Sequence, residues 1–341
     1  THIHTRSYRY CVLMRTYQHL PFLKCKGEST MAAIRIRHSI RSVPYGHVVT
    51  RDELALMAYG HSGQGALIQV NKYVKELPTS ERSTPWHRVC GKTAGKLTLQ
   101  DGREKKQETL LLKEHPSGVP KQLNRDPKEL PQFLAEVFET VDIAPSKHTH
   151  TMIYLHGRKY TGRYYEVNKD FFKVPSCPGL RVVLPTAPAD HQLVTQWFDE
   201  PTKESLKIGR ERVEQIIEDE VARLGDPTRI FLGGSSQGCI LGLDCYMRSP
   251  YELGGFCGIV GYWPLCSTPV LQDVKMSKAT RPVHLLNGTE DKIVDLQEAR
   301  DSYKVLRKSG VKSIHTEEWP EGHSMGPKEG RWIRAFLKTV S

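Results

Sequence analysis

The chain has 341 residues, 38% of them hydrophobic and 26% charged, enough apolar material for two folded units or one large one, and this excludes both a single small module and a disordered chain. No run of 18 apolar residues occurs, which excludes a membrane-spanning helix from the reading. The net charge of +11 is uneven, with five basic against one acidic residue in 1–30, fourteen against eight in 31–120, and thirty against twenty-nine in 121–341; a basic first third before a neutral remainder fits a nucleic-acid-facing module joined to an enzyme of small-molecule chemistry.

Residues 1–30 lack a long apolar stretch and precede Met31, and read as an unstructured basic extension, with a basic targeting segment as the other reading. Residues 31–115 read as a small, mainly helical domain. Thr50-Arg51-Asp52-Glu53 forms a capping box ahead of Leu54-Ala55-Leu56-Met57, because the Thr hydroxyl and the Glu carboxylate can each satisfy a free amide of the other. Gly60 to Gly65 break the pattern and Ala66 to Val74 suggest a second helix, so a helix-turn-helix pair is expected. Residues 116–147, with Pro116, Pro120, Pro127 and Pro131, read as a linker.

From residue 148 to 341 strands alternate with helices. Met152–Leu155, Arg181–Leu184, Arg229–Leu232, Phe256–Val260, Val283–Leu286 and Ser313–Glu317 are the expected strands, and Ser205–Leu224, Leu296–Lys308 and Gly330–Val340 have helical periodicity. The alternation implies an α/β domain whose mainly parallel sheet is covered on both faces, with its site at the strands' C-terminal ends. The eight cysteines make no CxxC pair and no zinc spacing, and Cys239 and Cys257 lie in apolar stretches as buried thiols do. A reducing compartment, cytoplasm or nucleus, fits this usage.

The strand ending at Leu232 runs into Gly233-Gly234-Ser235-Ser236-Gln237-Gly238, which contains G-x-S-x-G. A serine on such a strand-to-helix elbow is held in a strained conformation that lifts it toward substrate, and the following helix offers a free amide at Gln237. Serine needs a base and the base needs an orienting acid. Asp291 and His323 follow, each just past a later strand, and the order Ser, Asp, His is the one this architecture uses. Glu290 competes with Asp291 for the acid role. His156-Gly157 after the first strand would supply a second oxyanion donor, the amide of Arg158. Ser235 is off-register and expected only to pack.

These residues carry a resemblance to the acyl-protein thioesterase and carboxylesterase group of α/β-hydrolases: Leu155-His156-Gly157, Ala187-Pro188 leading to Trp197-Phe198-Asp199, Gly234-Ser235-Ser236-Gln237-Gly238, Gly288-Thr289-Glu290-Asp291 and Gly322-His323. The resemblance implies hydrolysis of carboxylic esters or thioesters, acylated proteins among the substrates, through an acyl-Ser236 intermediate and without a cofactor or metal. Arg158-Lys159-Tyr160 depart from the small loop usual there, which bears on substrate choice.

In the first domain Val43-Pro44-Tyr45-Gly46 and Pro85-Trp86-His87-Arg88-Val89 resemble the DNA-binding domain of alkylguanine-DNA alkyltransferases, a winged-helix-like fold. Trp86 stands at that family's acceptor cysteine, and Cys90 lies four residues away, so no alkyl transfer is expected there. A Trp at this position resembles the alkyltransferase-like proteins, which implies binding of double-stranded DNA containing an alkylated guanine, with Tyr45, Trp86, His87 and Arg88 at the site. Arg88, Lys92, Lys96, Arg103, Lys105 and Lys106 are the candidate phosphate contacts. Arg51 and Ile68 replace the family's usual Tyr and intercalating Arg. The alternative reading of the whole is a lesion-binding DNA-repair protein with an incidental hydrolase domain.

Overall fold

The computed structural model describes residues 31–44, 47–77, 84–91, 102–114, 132–190, 193–264, 280–324 and 326–340. The extension 1–30 and most of the proline-rich segment lie outside these.

The first unit holds α1 (Met31–Ser42), β1 (Val49–Thr50), α2 (Arg51–Tyr59), α3 (Gln64–Glu76), β2 (Val89–Cys90) and α4 (Glu104–Glu114). The capping box forms: Thr50 Oγ1 accepts from Glu53 N, and the Glu53 carboxylate accepts from Thr50 N at 2.6 Å. Such a cap is worth about 1 kcal/mol. Gly60 ends α2 in the left-handed region at φ 71°, which a residue with a Cβ adopts only at a cost. One face of each helix is apolar and packs inward, with Ile36, Ile40, Leu54, Val70, Val74 and Trp86 in one core. β1 and β2 form a single two-residue parallel pair.

Residues 132–147 are part of the folded structure rather than a linker. A short helix α5 (Gln132–Ala135) is followed by a 3-10 turn whose Val137 joins the core of the first unit. Next comes β3 (Val141–Ile143), an antiparallel edge strand on β5 (Leu180–Leu184). The sheet therefore begins at Val141, not at 148.

The seven-stranded sheet has the order β3-β5-β4-β6-β7-β8-β9, with β4 (His150–Leu155), β6 (Ile230–Ser235), β7 (Gly255–Ile259), β8 (Val283–Gly288) and β9 (Ile314–Trp319) all parallel. Side chains alternate between two cores. Ile153 and Leu155 pack with α7 (Lys203–Leu224), α8 (Gln237–Arg248) and α9 (Leu296–Lys308), whereas Met152 and Tyr154 pack with α6 (Gly162–Val167) and α10 (Pro327–Val340). Burial on both faces is why β4 reads as an unbroken apolar run. Among the described residues no helix is long and apolar enough to cross a membrane.

Candidate active site and the helical module

Ser236 sits between β6 and α8 with φ 54° and ψ −122°, a backbone region costly to any residue with a Cβ and found where the surroundings enforce it. The enforcement is visible at the flanking glycines. A Cβ on Gly234 would lie 2.4 Å from the Gly238 carbonyl carbon, and one on Gly238 would lie 2.1 Å from Leu155 O. The Ser236 amide is anchored on Ile259 O of β7 at 2.9 Å. The turn is thereby locked at the C-terminal end of the central strand, with the positive end of the 12-residue α8 behind it.

The loops after β8 and β9 bring in the other two groups. Thr289 N donates to Trp319 O and Glu290 N to Glu321 O, which zips the two loops together. His323 Nε2 lies 2.8 Å from Ser236 Oγ, and His323 Nδ1 lies 2.8 Å from Asp291 Oδ2. The second Asp291 oxygen accepts from the amides of Ile293 and Val294. The Asp291 side chain is 1% exposed and that of His323 25%, so the acid is shielded while the imidazole is partly open to solvent. Glu290 is exposed, and its carboxylate makes none of these contacts.

Across from His323, Gly157 approaches Ser236 so closely that a Cβ on it would meet Ser236 Cβ at 3.2 Å. Neither the Arg158 nor the Gln237 amide has an acceptor among the described residues. The Gln237 side chain instead serves the fold: its Oε1 accepts from Trp197 N and its Nε2 donates to Phe198 O at 2.8 Å. Trp197 Nε1 donates to His156 O. The motif residues Trp197 and Phe198 thus clamp the loop after β4 to the nucleophile helix. Arg158 directs its guanidinium to Gln196 on the exposed rim.

In the helical module Trp86 is 2% exposed, inside the core, with the Arg103 guanidinium 4.7 Å above its ring. Arg103 also donates to the carbonyls of Val74 and Leu77, capping the end of α3. Arg88 makes a paired contact with the Glu114 carboxylate and donates to Val43 O, while His87 bonds to the same carboxylate at 2.8 Å. Arg88 and Arg103, expected as phosphate contacts, are therefore committed to holding the module together. Lys105 and Lys106 are exposed, as is Ile68 at 56%. Arg51 opens α2 and Cys90 is fully buried in β2. Tyr45, Lys92 and Lys96 lie outside the described residues.

Residues 138–341 match the model of the phospholipase/carboxylesterase family. The chain belongs to that family. Residues 32–116 match the DNA-binding domain of 6-O-methylguanine DNA methyltransferase, so this family member carries an alkyltransferase-like DNA-binding domain ahead of its hydrolase domain. It is similar to acyl-protein thioesterase 1 homolog 2 of Dictyostelium discoideum, 31% identical over 49% of this chain and 82% of the relative. It is also similar to carboxylesterase SOBER1 of Arabidopsis thaliana, 27% identical over 55% of this chain and 89% of the relative. A protein of Oryza sativa named a probable inactive carboxylesterase is 28% identical over 54% of this chain and 84% of the relative. The crystal structure of Arabidopsis thaliana SOBER1 shares the fold, with a TM-score of 0.52 and 24% identity over 56% of this chain and 99% of that one.

One buried group of this family member escaped sequence reasoning. Glu329, in the first turn of α10, accepts from the Tyr154 and Tyr165 hydroxyls at 3.1 and 2.8 Å. Burial pushes its carboxyl up to about 7 against the lowering effect of these donors. A signal was present: Glu329 precedes Trp332, Ile333 and Phe336 at helical spacing, an acid on an otherwise apolar face.

Proposed function

We propose that the chain is a serine hydrolase that cleaves carboxylic esters or thioesters through an acyl-Ser236 intermediate. The observation that carries this reading is the unbroken contact from Ser236 Oγ through His323 to the shielded Asp291, both links 2.8 Å. His323 takes the Ser236 proton as Oγ attacks the acyl carbon, and Asp291 holds Nδ1–H so that Nε2 is the basic atom. Negative charge on the former carbonyl oxygen falls to the amides of Arg158 and Gln237. His323 then protonates the departing alcohol or thiol and activates the water that releases the acid. The relatives named as thioesterase and carboxylesterase support this substrate class. The test is turnover of 4-nitrophenyl octanoate and of an octanoyl thioester by the full chain: both are hydrolysed by wild type, and Ser236→Ala loses both.

The domain match and the exposed outer face of α3, which carries Ile68, Gln69, Lys72 and Lys75, favour a second role. We infer that the module binds double-stranded DNA through that face, with Trp86 in the position of the acceptor cysteine precluding alkyl transfer there. Titration of a duplex with and without one O6-methylguanine, at several salt concentrations, tests it: affinity falls with salt, and Lys72→Ala reduces the slope by about one.

A further inference from the structure

The two units are in direct contact at the loop that carries Arg158. The turn between α2 and α3, Gly60-His61-Ser62, lies on the segment Lys159-Tyr160-Thr161. The Gly60 carbonyl accepts from both the amide and the hydroxyl of Thr161, each at 2.8 Å. A Cβ on Gly60 would lie 2.1 Å from Tyr164 N, so only glycine permits this approach. Ser62 N donates to Lys159 O at 3.3 Å. The His61 ring stacks on Tyr160 with centroids 4.4 Å apart and planes 9° from parallel. One helical turn back, the Met57 carbonyl accepts from Arg163 Nε.

From the other side the hydrolase grips the same segment. Lys159 N donates to Thr195 O at 2.9 Å, and the Thr195 hydroxyl donates to Tyr160 O. Lys159 itself has φ 69°, a conformation that persists only where neighbours on several sides impose it. Gly157, on the near side of Arg158, is pressed against Ser236. Arg158 is therefore fixed between a residue touching the nucleophile and a residue held by the helical module.

We propose that the α2–α3 turn is a positioning element of the hydrolase site: by holding Lys159, Tyr160 and Thr161 it sets the peptide that presents the Arg158 amide to the oxyanion. His61 is its positioning residue, acting through Tyr160. The proposal rests on the reading of Arg158 as an oxyanion donor. An oxyanion donor acts on the transition state rather than on the bound substrate, so loosening it lowers kcat and leaves KM nearly unchanged.

The test is steady-state hydrolysis of a 4-nitrophenyl ester by the full chain, with His61→Ala, His61→Phe, Tyr160→Leu and the double variant His61→Ala/Tyr160→Leu, each checked for an intact unfolding transition. His61→Ala is expected to lose about 10- to 100-fold in kcat with KM within about twofold, since a displacement near 1 Å at a catalytic group costs on that order. His61→Phe keeps the ring stack and most of the rate. Tyr160→Leu removes the same contact from the hydrolase side, and the double variant loses no more than the larger single loss. Wild-type kcat in His61→Ala and Tyr160→Leu, or losses that multiply in the double variant, would overturn the proposal. A folded wild type without turnover would instead defeat the hydrolase reading itself, a different result from an active wild type indifferent to His61.

Discussion

His156 Nε2 accepts a 2.9 Å hydrogen bond from the amide of Ala187, while its Nδ1 bonds to the carbonyl of Gly157 at 2.7 Å. An imidazole that accepts at one nitrogen and donates at the other is neutral. Burial accordingly lowers its pKa to about 4. Between pH 4 and 6.5 the unfolded chain binds a proton here that the native chain does not, so this residue's contribution to stability rises with pH across that window and is lost on acidification. The advantage of wild type over His156→Ala in denaturant unfolding should therefore grow from pH 4 to 6.5, by up to about 3 kcal/mol. A difference independent of pH would show that the imidazole is not held neutral.

Glu329 has the opposite sign. With its carboxyl raised to about 7, the native state holds a proton between pH 4.5 and 7 that the unfolded state has released, and stability falls as pH rises through that range. Glu329→Gln keeps the shape and removes the titration. The variant should gain on wild type from pH 4.5 to 7, by up to about 3 kcal/mol, as read from paired urea melts. Parallel curves would count against a buried, titrating Glu329.

Asp291 and Glu290 are neighbours with different surroundings, and substitution separates them. Asp291→Asn leaves the loop in place but lets the imidazole rest in the wrong tautomer, a change expected to lower kcat by about 10³- to 10⁴-fold. Glu290→Gln should stay within about twofold of wild type. Steady-state kinetics of the two variants decides which carboxylate orients His323.

Much of this arrangement was legible in the chain because each signal was local. β4 is apolar without interruption since both its faces are covered, and Ser236, Asp291 and His323 each follow a strand and sit among glycines that the tight turns need. Thr50 and Glu53 announced the start of α2 three residues apart. β3 was not legible: Val141-Asp142-Ile143 is three residues long with a charge at its centre, and pairs only at the sheet edge. Glu329 was hidden because an acid in the first turn of a helix ordinarily favours the helix dipole in solvent. Gly60 and Thr161 are 101 residues apart and meet at the main-chain carbonyl of Gly60, and a backbone acceptor at that distance leaves no pattern in side-chain type.

The buried pairing of Arg88 with Glu114 changes what a mutation there reports. Glu114 has a side chain 7% exposed, so Arg88→Ala takes away its guanidinium partner and leaves it with His87, and should destabilise the module by about 1–3 kcal/mol. Lys105→Ala, on the exposed face of α4, should cost less than about 0.5 kcal/mol. Thermal melts of both variants separate a structural loss from a lost DNA contact before any binding assay is interpreted.

The most direct test of Ser236 as an activated nucleophile is labelling of the full chain with a fluorophosphonate, with the adduct located by peptide mass spectrometry. A single adduct on Ser236, absent from Ser236→Ala and strongly reduced in His323→Ala, is the predicted result. A folded wild-type protein that stays unlabelled, or an adduct on any other residue, would contradict it.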